Sequence, residues 1–132
     1  MDHTIVHFEI PANDIEKLKK FYVDLFGWTM NKYPGPTVYY LVGTVPVDVK
    51  TMMPLRPGVN GGLYEKKDAS LPEMAKPINY ISVESVEEYS KKVEASGGKI
   101  VQQKMEIPGL GWWALALDPE GNTFGMLEYM QK

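Results

Sequence analysis

The sequence predicts an α+β domain in which one βαβββ plan is written twice. Two observations carry this. The stretch from His7 to Gly27 and the stretch from Ile78 to Gly98 share an outline at an offset of 71 positions: a strand, a helix cap, a helix and a terminating glycine. The run Gly62-Leu-Tyr-Glu65 is then echoed by Gly125-Met-Leu-Glu128 near the end. Identities within the aligned windows are confined to Ile10/Ile81, Glu16/Glu87, Lys20/Lys91 and Gly27/Gly98, so the repeat is one of pattern rather than of letters.

The elements follow in order. Residues 5–10 alternate, with Val6, Phe8 and Ile10 facing one way and Ile5, His7 and Glu9 the other, until Pro11 stops the strand. Asn13 sits where a helix N-cap belongs, with Glu16 three residues on. Ile15, Leu18, Phe21, Tyr22 and Leu25 recur at helical spacing as one apolar face, and Gly27 suits a left-handed C-terminal cap. Strands over 28–32 and 38–42 flank the turn Tyr33-Pro-Gly-Pro36. Residues 43–58 carry three prolines and read as an irregular loop with room for one edge strand. A strand over 59–65 follows, and its paired glycines signal that something approaches its backbone closely.

Module one therefore covers about residues 1–66, a polar connector about 67–77, and module two about 78–132. In module two a strand over 78–83 precedes Ser85 and Glu88, a capping box. Val86, Tyr89 and Val93 give a narrower apolar stripe, Gly97-Gly98 ends the helix, and strands over 99–107, 111–118 and 122–130 complete the plan. Asp118-Pro-Glu-Gly121 has the residues of a turn.

At 132 residues the chain is one domain, large enough to fold without a disulfide or a metal. A net charge of −3 with scattered Lys and Arg argues against nucleic acid or an anionic membrane as main partner, because both need a basic footprint. The absence of cysteine excludes disulfides, thiol nucleophiles and thiolate metal sites. Neither a signal peptide nor a transmembrane span is read, and a cytoplasmic protein is expected.

A first strand carrying His7-Phe-Glu-Ile-Pro-Ala-Asn-Asp14, then a helix closing in Phe21-Tyr and Leu25-Phe-Gly-Trp28, resembles the vicinal oxygen chelate superfamily. That group includes glyoxalase I, extradiol dioxygenases, fosfomycin-resistance enzymes and bleomycin-resistance proteins. Asp118-Pro-Glu-Gly-Asn-Thr-Phe-Gly125 followed by Glu128 resembles its other recurrent segment, and Asn60-Gly-Gly62 with Tyr80-Ile-Ser-Val83 resembles its glyoxalase-related branch of unassigned function. The resemblance implies two curved, incomplete barrels around a shared cleft, and a homodimer. It is specific for fold and poor for function, since the fold carries unrelated activities.

In metal-dependent members one ligand comes from the first strand and one from the last strand of each module, as His or Glu. Carried over position by position, His7 matches, but Ile78, Gly62 and Gly125 stand at the other three places. The resemblance therefore implies no resident cofactor, with a divalent metal possible but disfavoured. Glu65 and Glu128 lie three residues beyond their glycines, an odd step that points each to the opposite face about 10 Å on. Glu9 shares the face of His7 and offers a second donor or a hydrogen-bond partner. Tyr80 shares parity with Ile78 and points inward. Alternation sends one of Trp112 and Trp113 to the cleft. The sequence does not choose between them, and Trp113 is carried in the candidate set. The candidate ligand-binding residues are thus His7, Glu9, Gly62, Ile78, Tyr80, Trp113 and Gly125, the bare glycines leaving extra room.

The leading expectation is a metal-independent protein that binds an apolar or aromatic organic molecule. The alternative is a glyoxalase-like lyase or isomerase with a relocated divalent metal at His7 and Glu9. A third class is an interaction module whose cleft is filled by its own side chains.

Overall fold

The structure, a computed structural model, describes residues 1–69 and 71–130. It divides into two compact units, His7–Pro77 and Met1–Val6 together with the chain from Ile78 on. The described elements are α+β, and each unit has the βαβββ plan expected from the repeat.

In the first unit, module one, the elements are β1 (Ile5–Ala12), α1 (Ile15–Phe26), β2 (Thr29–Lys32), β3 (Tyr39–Gly43) and β4 (Gly61–Glu65). The strands run β2-β3-β4-β1, antiparallel except for the parallel pair of β4 with β1. β1 continues through Pro11 to Ala12, past the expected stop. Proline is tolerated in a strand where the ladder does not need its N–H. The cap of α1 is Asp14 rather than the expected Asn13: its Oδ1 accepts the N–H of Lys17 at 3.1 Å. The offset of 71 already pairs Asp14 with Ser85, so the repeat located this cap better than the local pattern did. Gly27 closes the helix in the left-handed region (φ 70°), donating its N–H to Val23 O.

The core of module one lies between α1 and the sheet. Ala12, Ile15, Val42 and Leu63 are buried there, with Phe8, Ile10, Leu18, Trp28 and Tyr40 packed against them. Burial of a side chain such as Leu63 contributes about 1.5–3 kcal/mol. Trp28 stacks on Tyr22 at 4.7 Å between ring centroids and lies beside Phe8. The single apolar face expected of α1 divides: Phe21 and Leu25 are exposed, while Ile15 is buried. The loop over 44–60 contains one isolated bridge, Val47 to Pro54, in place of an edge strand. Its base is pinned by the Asn60 side chain, whose Oδ1 accepts the N–H groups of Thr44 and Val45.

Module two contains β5 (Ile78–Ser82), α2 (Val86–Ala95), β6 (Lys99–Ile107), β7 (Gly111–Leu117) and β8 (Thr123–Tyr129). Its strands run β5-β8-β7-β6, with β5 and β8 parallel. Val83, Val86, Ala114 and Met126 form its core, flanked by Tyr89, Trp112 and Phe124. The N-terminal residues, placed in module one from sequence, group with this unit instead. Thr4 O accepts the N–H of Ser82, and His3 bonds to Ser82 O through Nδ1 and to the Tyr89 hydroxyl through Nε2, both at 2.9 Å. Among the described residues no helix is long and apolar enough to cross a membrane.

Glu128 points to the helix side, as strand parity requires. Its Oε1 accepts the N–H of Val86 at 2.9 Å, while Ser85 Oγ accepts that of Glu88, so two of the orphan donors at the start of α2 are satisfied. Glu128→Ala should therefore destabilise the protein by about 1–2 kcal/mol in urea denaturation, and Glu128→Gln, which keeps an acceptor, by less. Equal stability of all three proteins would rule this cap out.

Candidate functional site

Strand alternation decides which side chains of module one oppose its helix. Phe8, Ile10, Tyr40 and Leu63 face α1, so His7, Glu9, Tyr39, Gly62 and Tyr64 face the other way. Register brings these five together: Glu9 lies opposite Gly62, and Tyr39 opposite Tyr64. At their centre is the Tyr39 hydroxyl. It donates to Glu9 Oε2 at 2.8 Å and lies 3.1 Å from His7 Nε2. Because the hydroxyl proton goes to the carboxylate, the hydrogen-bond network assigns a proton to His7 Nε2, which donates to the Tyr39 oxygen. His7 Nε2 and Glu9 Oε2 themselves stand 3.7 Å apart. Their side chains keep 25% and 14% of their exposure.

Tyr39 reaches this position because Gly62 has no side chain. A Cβ on Gly62 would fall 1.8 Å from the Tyr39 hydroxyl oxygen and 2.2 Å from its Cζ. On the opposite face of β4, a Cβ on Gly61 would fall 2.4 Å from the Phe8 carbonyl oxygen and 2.7 Å from its ring. The paired glycines thus accept close approach from both sides, as the sequence indicates. Tyr64, next along the same face, is buried and donates its hydroxyl hydrogen to Met74 O. Burial, reinforced by the negative charge of Glu9, pushes its pKa up to about 12. Tyr33 meets the Tyr39 ring edge-on at 6.2 Å.

Module two has the same frame with different chemistry. Tyr80 lies directly opposite Gly125, and a Cβ on Gly125 would fall 2.2 Å from Tyr80 Cδ2. Ile78 and Tyr80 are both buried. Trp112 packs on the helix side with Val83 and Ala114, so Trp113 is on the face of Tyr80, Leu115 and Gly125. The extra room expected over Gly62 and Gly125 is therefore not there: a tyrosine ring covers each. Glu65 pairs with Lys67 at 3.0 Å and takes no part in the row on β1.

The donors do not fit a divalent-metal centre. On this face of module one only His7 and Glu9, among the described residues, carry donors of the usual kind, and the Tyr39 hydroxyl is bonded to both. Gly62, Ile78 and Gly125 offer no side-chain donor. Among the described residues no three His, Cys, Asp or Glu side chains come together. A separate groove of about 360 Å³, lined by residues from Pro11 to Phe21, contains none of the residues selected from sequence.

Tyr39 and Tyr64 are aromatic residues of predicted strands that the candidate set drawn from the sequence leaves out. Tyr64 was accessible by parity, two residues beyond Gly62. Tyr39 was not, because the register of β3 on β4 is set across the long 44–60 loop.

Comparison with known proteins agrees with this frame. Residues 4–39 match the family model "Bleomycin resistance protein-like N-terminal". A glyoxylase-like domain-containing protein of Didymella fabae is 31% identical over 119 residues, covering 87% of this chain and 85% of that protein. The chain belongs to the glyoxalase/bleomycin-resistance superfamily, the vicinal oxygen chelate group. The structure of a hypothetical protein from Bacillus halodurans matches all of this chain and 98% of its own at TM-score 0.71 and 14% identity. Methylmalonyl-CoA epimerase from Mycobacterium tuberculosis matches 96% of this chain and 88% of its own at TM-score 0.68 and 12% identity. Both show the fold alone. The anthracycline biosynthesis protein DnrV of Streptomyces peucetius is 27% identical over 131 residues. This superfamily chain spans 44% of the length of DnrV and covers 90% of itself in the match.

Two outcomes follow from this geometry. Gly62→Ala should cost about 1–3 kcal/mol in chemical denaturation, because the methyl group evicts the Tyr39 hydroxyl. An unchanged midpoint would mean that Tyr39 does not lie over Gly62. For Tyr64 the folded state holds the proton more tightly than the unfolded chain. The stability linked to it is complete below about pH 10 and is lost as pH rises towards about 12. Tyr64→Phe should flatten that alkaline loss, read as unfolding midpoint against pH.

Proposed function

We propose that this chain is a metal-independent binding protein for a small aromatic organic molecule, with the row His7–Tyr39–Glu9 as its polar contact. The observation that carries the reading is that row. One imidazole nitrogen, one hydroxyl and one carboxylate lie on the helix-free face of module one, beside the rings of Tyr33 and Tyr64. Such a set orients a ligand by hydrogen bonds while aromatic walls supply its affinity. Gly62 lies beneath the hydroxyl end of Tyr39 on this face. The similarity to two anthracycline biosynthesis proteins supports a flat aromatic ligand. The proposal includes a cytoplasmic protein with neither nucleic acid nor membrane as partner, supported by the net charge of −3 and the lack of cysteine, and a homodimer, supported by membership of the superfamily.

The test joins metal analysis of the dialysed protein to a thermal-shift screen with aromatic compounds. Substoichiometric metal is expected, together with at least one saturable ligand whose binding is lost in His7→Ala. Stoichiometric zinc, nickel, iron or manganese that disappears with His7→Ala would replace this reading by the lyase or isomerase. Absence of any ligand would favour the interaction module.

A further inference from the structure

The Tyr39 side chain is itself a phenol, and the way it is held describes a site for one. Its hydroxyl is recognised twice, as an acceptor by His7 Nε2 at 3.1 Å and as a donor by Glu9 Oε2 at 2.8 Å. Its ring carbon Cζ would be 2.2 Å from any Cβ at position 62, so the hydroxyl end of the ring lies close against bare backbone. The geometry points to a phenol subsite formed by His7, Glu9 and Gly62, with Tyr39 as its resident occupant. The ligand class is then a hydroxylated arene whose O–H takes the place of the tyrosine hydroxyl when Tyr39 turns away. This rests on the reading of module one as the ligand face, and it adds the chemical class.

The donor pattern is selective. An incoming group must both give a hydrogen to a carboxylate and accept one from an imidazole. A phenol, enol or alcohol does both, an ether or ketone lacks the donor, and a carboxylate or phosphate would face Glu9 with like charge; the ring of Tyr39 is what singles out the phenol. Sites built to bond a hydroxyl reject analogues that lack it, because the partners are left unpaired.

Removal of the occupant tests this directly. Tyr39→Ala should bind p-cresol, the missing side chain, saturably by isothermal titration calorimetry, and p-cresol should raise its melting temperature. Toluene should bind about tenfold more weakly or worse, since it lacks the hydroxyl. Adding His7→Ala or Glu9→Gln to Tyr39→Ala should weaken p-cresol by a similar factor. Folded Tyr39→Ala that ignores p-cresol, or binds toluene equally well, overturns the subsite. Should Tyr39→Ala fail to fold, Tyr39→Phe keeps the ring. The destabilisation by His7→Ala and by Glu9→Gln should then be smaller in the Tyr39→Phe background, and full additivity overturns the subsite. Wild-type ligand binding that depends on His7 while p-cresol fails in Tyr39→Ala would sink this inference and leave the proposed function standing.

Discussion

Two missing side chains on one strand set what module one can be. At Gly61 and Gly62 the backbone of β4 is bare on both faces, so Phe8 closes on it from the helix side and Tyr39 from the other. Close packing leaves no slack for a methyl group in either place. The Phe8 contact sets β1 hard against β4, and Trp28 and Tyr22 stack onward from Phe8. The Tyr39 contact brings a phenol hydroxyl to both His7 Nε2 and Glu9 Oε2, which stand 3.7 Å apart. Core and candidate site thus share one structural cause.

The repeat uses this device twice and gives it different chemistry each time. Beside Gly62 stands Glu9, and beside Gly125 stands Tyr80. Where module one has His7, Tyr39 and Tyr64, the same frame in module two carries Ile78, Trp113 and Leu127. Module one can therefore orient a polar group, and module two offers apolar area. The helix ends diverge less. Asp14 and Ser85 cap at the same offset of 71, because an orphan N–H asks for the same acceptor in either copy.

Much of this was legible in the sequence, for reasons that differ by element. The βαβββ order follows from alternation, caps and glycines, which act locally. Glu128 could be excluded from the site face by parity alone, and the structure shows it holding Val86 N–H. Trp112 and Trp113 could be told to part but not assigned, because that depends on which face α2 covers. The room expected over the two glycines was filled because an absent side chain invites a neighbour inward, and which neighbour depends on register. Tyr80 reaches Gly125 through a parallel pair, and Tyr39 reaches Gly62 diagonally across an antiparallel one. The N-terminal residues went to the second unit through His3 and Thr4, contacts that no local pattern encodes.

The electrostatics of module one make the Tyr39 hydroxyl difficult to replace by just any group. Glu9 is largely removed from water, and a carboxylate so placed needs donors: a hydrogen bond to it is worth about 1.5–3 kcal/mol, and leaving it unmade costs at least as much. Tyr39 is one such donor. The upward shift of Tyr64 comes first from burial and secondly from the charge of that carboxylate, which opposes any further negative charge on the same face. An anionic ligand entering there would meet the same opposition. A neutral hydroxyl avoids it and restores the bond to Glu9, while His7 Nε2–H holds its oxygen. The face that first suggests half a metal site is better suited to exchange one neutral hydroxyl for another.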